Sequence, residues 1–241
     1  MDSKTQAIVD FALSYPFDIP GKSYVLLPGG QMAAFERSAC KDRFPVLAVG
    51  SNRSPKQLAR KYPNLAEPLP VEHGLLKDHD VVFSAHLTVY GSVPAALASH
   101  PGCEVAVSLT WLNAAQLERM HATESMGKNY DFGRLRGVAF KSDHDGAERA
   151  EVALYLGRRG LLNCAGRPVS MAAIPAKGRA SEGLCQTAAL EHVRDRVAPG
   201  ADLADFIRQT VENDRLREER NQRLGETALP SGHPAFVKET A

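Results

Sequence analysis

The chain has no excess of charge of either sign. Its 29 Lys and Arg stand against 28 Asp and Glu, a formal net charge of +1. That removes the main attraction to nucleic acid, which needs a surplus of basic side chains. No run of 18 apolar residues occurs, so no segment reads as a membrane-spanning helix. The four cysteines (Cys40, Cys103, Cys164, Cys185) form no C-x-x-C pair, and the eight histidines contain no H-x-x-x-H pair. Free thiols and no bound metal are the expectation. The sequence lacks G-x-S-x-G, G-x-x-x-x-G-K and G-x-G-x-x-G, so neither a serine hydrolase elbow nor a nucleotide loop is indicated. The opening residues MDSKTQAIVD lack the basic-then-apolar order of a signal peptide. Together these absences lead to the expectation of a cytoplasmic protein with no membrane and no nucleic-acid partner, acting on a small molecule.

What is present is ordinary folding material. Hydrophobic residues make up 44% of 241 residues and charged residues 24%, a balance that favours a packed core over disorder. The pattern alternates short strands and helices. Strands are expected at Pro45–Val49, Asp80–Val89, Glu104–Trp111, Leu135–Phe140 and Glu151–Leu156, with a turn at Pro101-Gly102 and His73 and His79 in a loop. Helices are expected from Pro55 with Ser54 as cap, from Asn113 with Gln116 three residues on, over Gly183–Val197, and as one long helix over Ala201–Leu224. The tail after Leu229 reads as loose. These signals divide the chain into an N-terminal extension (1–44), a central domain (45–197) and a C-terminal helical extension and tail (198–241). The long helix is a candidate interface for a homo-oligomer.

Two stretches carry chemistry. In the first, a strand ends at Val49, and Gly50, Ser51 and Asn52 turn tightly into the next helix. Such a turn aims backbone N–H groups outward and can hold an anion without a charged side chain. A purely structural turn is the alternative reading. In the second, Leu117, Met120 and Glu124 recur at helical spacing. That places Glu124 on an apolar, inward side, where the ionised carboxylate is disfavoured and a general acid/base is tuned toward neutral pH. A helix-end Glu in a local hydrogen bond is the alternative. His121 is next to this stretch, and His86 lies on the polar face of its strand. For both, a structural histidine is the plainer reading.

Together the stretches resemble the gamma-glutamylcyclotransferase-like family. Val49-Gly50-Ser51-Asn52 stands where that family has Y-G-S-N, and Met120 to Ser125, followed by Gly127 and Tyr130, stands where it has L-D-x-x-E-G and a following Tyr. Tyr90-Gly91-Ser92, Pro101-Gly102, Pro168–Pro175 and Gly183-Leu184 keep the family's order over residues 45–197. Val49, His121 and Ser125 depart from the pattern. The resemblance implies an α+β fold, a small mixed β-barrel with flanking helices. It implies Glu124 as the catalytic residue, with Val49, Gly50, Ser51, Asn52 and Tyr130 binding substrate, and no cofactor. It also implies release of 5-oxoproline, as a substrate's own α-amine attacks its γ-amide. Two other readings remain open. One is a non-catalytic binding or regulatory module on the same fold. The other is a related amidohydrolase, in which water is the nucleophile.

Overall fold

The computed structural model describes residues 2–239. In chain order its strands are β1 (Tyr24–Leu26), β2 (Met32–Ala34), β3 (Phe44–Ala48), β4 (Leu69–Phe83), β5 (Ala95–Leu112), β6 (Tyr130–Ser142), β7 (Glu148–Gly157), β8 (Asn163–Cys164), β9 (Arg167–Pro168), β10 (Ala176–Lys177) and β11 (Phe236–Lys238). The helices are α1 (Ser3–Leu13), α2 (Pro55–Lys61), α3 (Ala114–Thr123), α4 (Gln186–Val197), α5 (Leu203–Glu212) and α6 (Asp214–Gly225). The architecture is α+β. Strand β4 pairs with β5, β5 with β3, β3 with β7, β7 with β6, and β6 returns to β4, so five strands close into a barrel. Only β3–β7 is parallel within that ring, and it makes the sheet mixed. Closure leaves no free edge among the five.

The β4–β5 pairing is longer than the sequence suggests. The expected turn at Pro101-Gly102 is a kink inside β5, opposite a register shift between Lys77 and His79 in β4. Asp78 (φ 59°) and Gly102 (φ 78°) both adopt left-handed backbone there, and the Asp78 carboxylate accepts from the Gly102 amide at 2.9 Å. His73 and His79 lie within β4 and are buried. The charges that make this run look like a loop are neutralised internally. Glu72 meets Arg37 and Trp111, and Asp80 meets Arg179 and Ser170.

The terminal segments pack into the same body. Val9, Ala12, Tyr15 and Phe17 join Phe206, Ile207 and Leu224 in the principal core. β1 extends the sheet beside the first residues of β4. The expected long C-terminal helix is two helices, because Asn213 (φ −130°, ψ 98°) leaves the helical region and its side chain caps α6 by accepting from the Leu216 amide. The tail after Leu229 also takes on regular structure: β11 pairs with β6 through Phe236–Leu135, Val237–Arg134 and Lys238–Gly133. Among the described residues no helix is long and apolar enough to cross a membrane.

Candidate active site

The barrel opens at one end onto a cavity of about 170 Å³. The chain leaves β3 here through Val49 and Gly50, enters a 3₁₀ turn over Ser51–Arg53, and starts α2 at Pro55. An added Cβ at Gly50 would overlap the Tyr15 hydroxyl and the Cβ of Ala95, so only glycine lets the backbone pass this close. Ser54 occupies the N-cap position of α2, but its side chain makes no capping bond and its hydroxyl has no partner. The turn is anchored instead through Arg53. That side chain is buried and donates from Nε to Ser108 Oγ at 3.0 Å, and its carbonyl accepts from the Tyr24 hydroxyl at 3.0 Å. Among the described residues the Asn52 backbone N–H finds no backbone acceptor.

Glu124 is presented from the other side. Asn113 and Gln116 start α3 with a complete capping box, and the helix runs to Thr123. Glu124 is its C-cap residue, and Ser125 follows at φ 48°. A left-handed residue at this position is how helices commonly end, and it favours glycine. The serine here is accommodated at a small steric cost.

The carboxylate does not meet the apolar wall that the spacing suggests. Glu124 Oε1 accepts from Asn52 Nδ2 at 2.8 Å and is ion-paired with the Lys61 ammonium. Only 10% of each of the Glu124 and Lys61 side chains is exposed. Both donors converge on Oε1, and among the described residues Oε2 takes no hydrogen bond. Asn52 Oδ1 is buried with no partner. The Lys61 ammonium has one further contact, the Met120 sulfur at 3.4 Å.

Val49, Gly50, Ser51, Asn52, Glu124 and Tyr130 all line this one cavity. Sequence reasoning missed Lys61, Tyr15 and Tyr90, which line it too. Lys61 has a sequence signal in retrospect. It stands three residues after Leu58 and four after Gln57, so all three share the buried face of α2. A lysine at an inward helical position is the mark of an internal partner. Tyr15 has no such signal, since it comes from residues 80 positions away from Ala95, whose amide donates to its hydroxyl at 2.8 Å.

The electrostatics follow from burial. It pushes the Tyr90 phenol up to about 12, with the Ser51 hydroxyl opposing, and raises Tyr15 and Tyr130 further. For Tyr130 the Glu124 charge adds to burial. All three therefore stay protonated as donors at neutral pH. Burial and then Arg159 push the His86 imidazole down to about 3, so it is neutral there. Its Nδ1 lies 2.9 Å from Ser84 Oγ. His121 lies outside the cavity lining and pairs through Nδ1 with the Tyr155 hydroxyl at 2.8 Å. No group of three or more His, Cys, Asp or Glu among the described residues could hold a metal ion.

No family model matches the chain. No curated protein matches it either. Among solved structures it is similar to two Arabidopsis thaliana proteins known in solution. One is 17% identical at a TM-score of 0.36, over 48% of this chain and 70% of the other. The second is 18% identical at 0.34, over 47% and 61%. It is also similar to a gamma-glutamyl cyclotransferase, 16% identical at a TM-score of 0.38, over 82% of this chain and 94% of that one.

Proposed function

We propose that the chain is a gamma-glutamylcyclotransferase-like enzyme, releasing 5-oxoproline and an amine from a small γ-glutamyl compound. The observation that carries this reading is the convergence of a carboxylate, Glu124, and a tight turn, Gly50–Asn52, on one small cavity. At about 170 Å³ the cavity is smaller than the drug-sized pockets of about 300–1,000 Å³ and suits an amino-acid-sized ligand.

The reaction needs no enzyme nucleophile, because the substrate's α-amine is already tethered to the γ-carbonyl it attacks. Glu124 takes one proton from the α-ammonium. The freed amine attacks the γ-carbonyl carbon and closes a five-membered ring. The carbonyl oxygen becomes an oxyanion facing the Ser51–Asn52 backbone. The bond to the departing nitrogen then breaks. The ring nitrogen sheds two protons in all, both reach the departing amine through Glu124, and that amine leaves as an ammonium. A positioned acid/base contributes about 10²–10⁴-fold, and one oxyanion donor contributes about 10²–10³-fold.

Glu124→Gln tests this directly. Wild-type protein is expected to release 5-oxoproline from at least one member of a panel of γ-glutamyl amines. The variant should be at least about 10²-fold slower per folded molecule. A fully active variant rules the mechanism out.

A second reading, a binding module on the same fold, is favoured by the ion pair with Lys61, which already neutralises the carboxylate. It predicts saturable binding of a γ-glutamyl compound with no product from any member of the panel.

A further inference from the structure

The polar groups left open around Glu124 form a pattern. Lys61 carries three N–H donors. One goes to Glu124 Oε1 and one faces the weakly accepting Met120 sulfur, so the ammonium keeps donor capacity that the chain does not use. Two acceptors next to it are also unused: Glu124 Oε2 and Asn52 Oδ1. Leaving a buried amide oxygen without a donor costs free energy, and a bound ligand would remove that cost. The cavity wall therefore offers a cation, Lys61, beside a carboxylate, Glu124. Their complement is a carboxylate and an ammonium on neighbouring atoms, the zwitterionic end of an α-amino acid.

The backbone around Lys61 is fixed by contacts between α2 and α3. Arg119 Nε donates to the Lys61 carbonyl at 2.8 Å, and the neighbouring Tyr62 hydroxyl donates to the Gln116 carbonyl at 2.8 Å. These bonds staple α2 to α3 and hold the root of the lysine against the helix that ends in Glu124. The four-carbon stem then lets the ammonium move between Glu124 and a ligand without moving the fold. No second acidic side chain is bonded to Lys61.

We infer that Lys61 is the specificity-determining residue of this cavity: it receives the α-carboxylate of the substrate, while the Glu124 carboxylate receives the α-ammonium. This deepens the γ-glutamyl reading and rests on it. Release of 5-oxoproline already requires a free carboxylate next to the amine, and Lys61 is the side chain that reads it. An α-carboxamide presents no anion to the lysine. The carboxylate also draws the ammonium away from Glu124 Oε1, so the base is released by the substrate that it is to deprotonate.

The test uses two probes, γ-glutamyl butylamide with a free α-carboxylate and its α-carboxamide counterpart. Wild type, Lys61→Met and Lys61→Arg are each checked for folding by circular dichroism. Release of the cyclised product and calorimetric binding are measured for both probes. Wild type should favour the free acid by about tenfold or more. Lys61→Met should bring the ratio between the probes near one, acting through KM and binding, and move the acid limb of kcat/KM to higher pH. Lys61→Arg should retain the preference. A Lys61→Met protein that keeps the wild-type ratio overturns the inference, as does failure of wild type to bind either probe. If neither probe cyclises but the binding preference for the free acid is lost in Lys61→Met, the role of Lys61 stands and the lyase reading falls.

Discussion

Two of the buried acid–base pairs in this barrel, Arg37–Glu72 and Lys61–Glu124, are finished differently. Glu72 accepts from both Arg37 nitrogens, at 2.8 and 2.5 Å, and from Trp111 Nε1 at 2.9 Å. Arg37 is held in turn by Asp145 at 2.8 Å. Both oxygens of Glu72 are occupied, and the residue is absent from the cavity lining. Burial alone would raise its proton affinity, but the Arg37 guanidinium, Ser142 and Trp111 outweigh it and hold the carboxyl below its ordinary range. Glu124 has the same charge and is also buried, yet both of its donors crowd onto one oxygen, and the residue lines the cavity. A buried pair whose valences are filled specifies structure. A pair that leaves a carboxylate oxygen and ammonium donor capacity unfilled is the feature on which the proposed binding role rests.

The largest effect that would sharpen this contrast is on stability. Glu72→Ala removes one partner of a saturated buried pair and leaves the Trp111 N–H without an acceptor. A loss of about 3 kcal/mol is expected, at the lower end of the range for broken buried pairs because Arg37 keeps Asp145. Urea unfolding measures it, and a loss below about 1 kcal/mol would mean that the pair is not structural.

Tyr15→Phe comes next. It leaves the buried Ala95 amide unpaired and should cost about 1–3 kcal/mol by thermal unfolding. Because Tyr15 lines the cavity, the same variant should also weaken ligand binding. A variant that loses stability with binding intact would place Tyr15 with the scaffold only.

The pH dependence follows the histidines. His86 has its folded pKa at about 3 against an ordinary 6.5, because burial and Arg159 disfavour its charge. The unfolded chain therefore binds this proton first. The stability His86 contributes is fully present above pH 6.5 and is lost as pH falls toward 3. Replacing it with Gln should flatten the stability–pH slope between pH 6 and 4 by about 1.4 kcal/mol per pH unit. His73, at about 4 through burial and Arg53, should leave a residual slope of the same sign. An unchanged slope in the His86 variant would show that its ring is not held neutral.

The smallest effect concerns the turn behind Glu124. Ser125→Gly relieves a left-handed backbone at φ 48° and should raise stability by about 1 kcal/mol. No such gain is available at Glu72, which lies in a regular strand.

Local signals were legible in the sequence. The Val49–Asn52 turn, the Asn113–Gln116 capping box and the inward spacing of Leu117, Met120 and Glu124 each depend on neighbours within a few residues. They led to the two walls of the cavity. What escaped depends on partners distant in the chain. The run Leu69–Lys77 looks like a loop because its charges are cancelled by Arg37, and the kink at Gly102 looks like a turn because Asp78 lies 24 residues away. Lys61 was hidden in a basic run, Arg60-Lys61, that reads as a solvated helix face. The break at Asn213 was masked by charged residues of high helix propensity on both sides. The polar cap that joins α5 to α6 is a single side chain, and hydrophobic spacing does not register it.

The central claim is that Glu124 performs proton transfer while Glu72 holds the barrel together. Release of 5-oxoproline by Glu124→Gln and by Glu72→Gln, normalised to the folded fraction and paired with melting curves, tests it most directly. The predicted result is a Glu124→Gln protein that turns over at least about 10²-fold more slowly per folded molecule, beside a Glu72→Gln protein that melts earlier and keeps its rate per folded molecule. Equal rates in wild type and Glu124→Gln, or loss of rate in a fully folded Glu72→Gln, would contradict it.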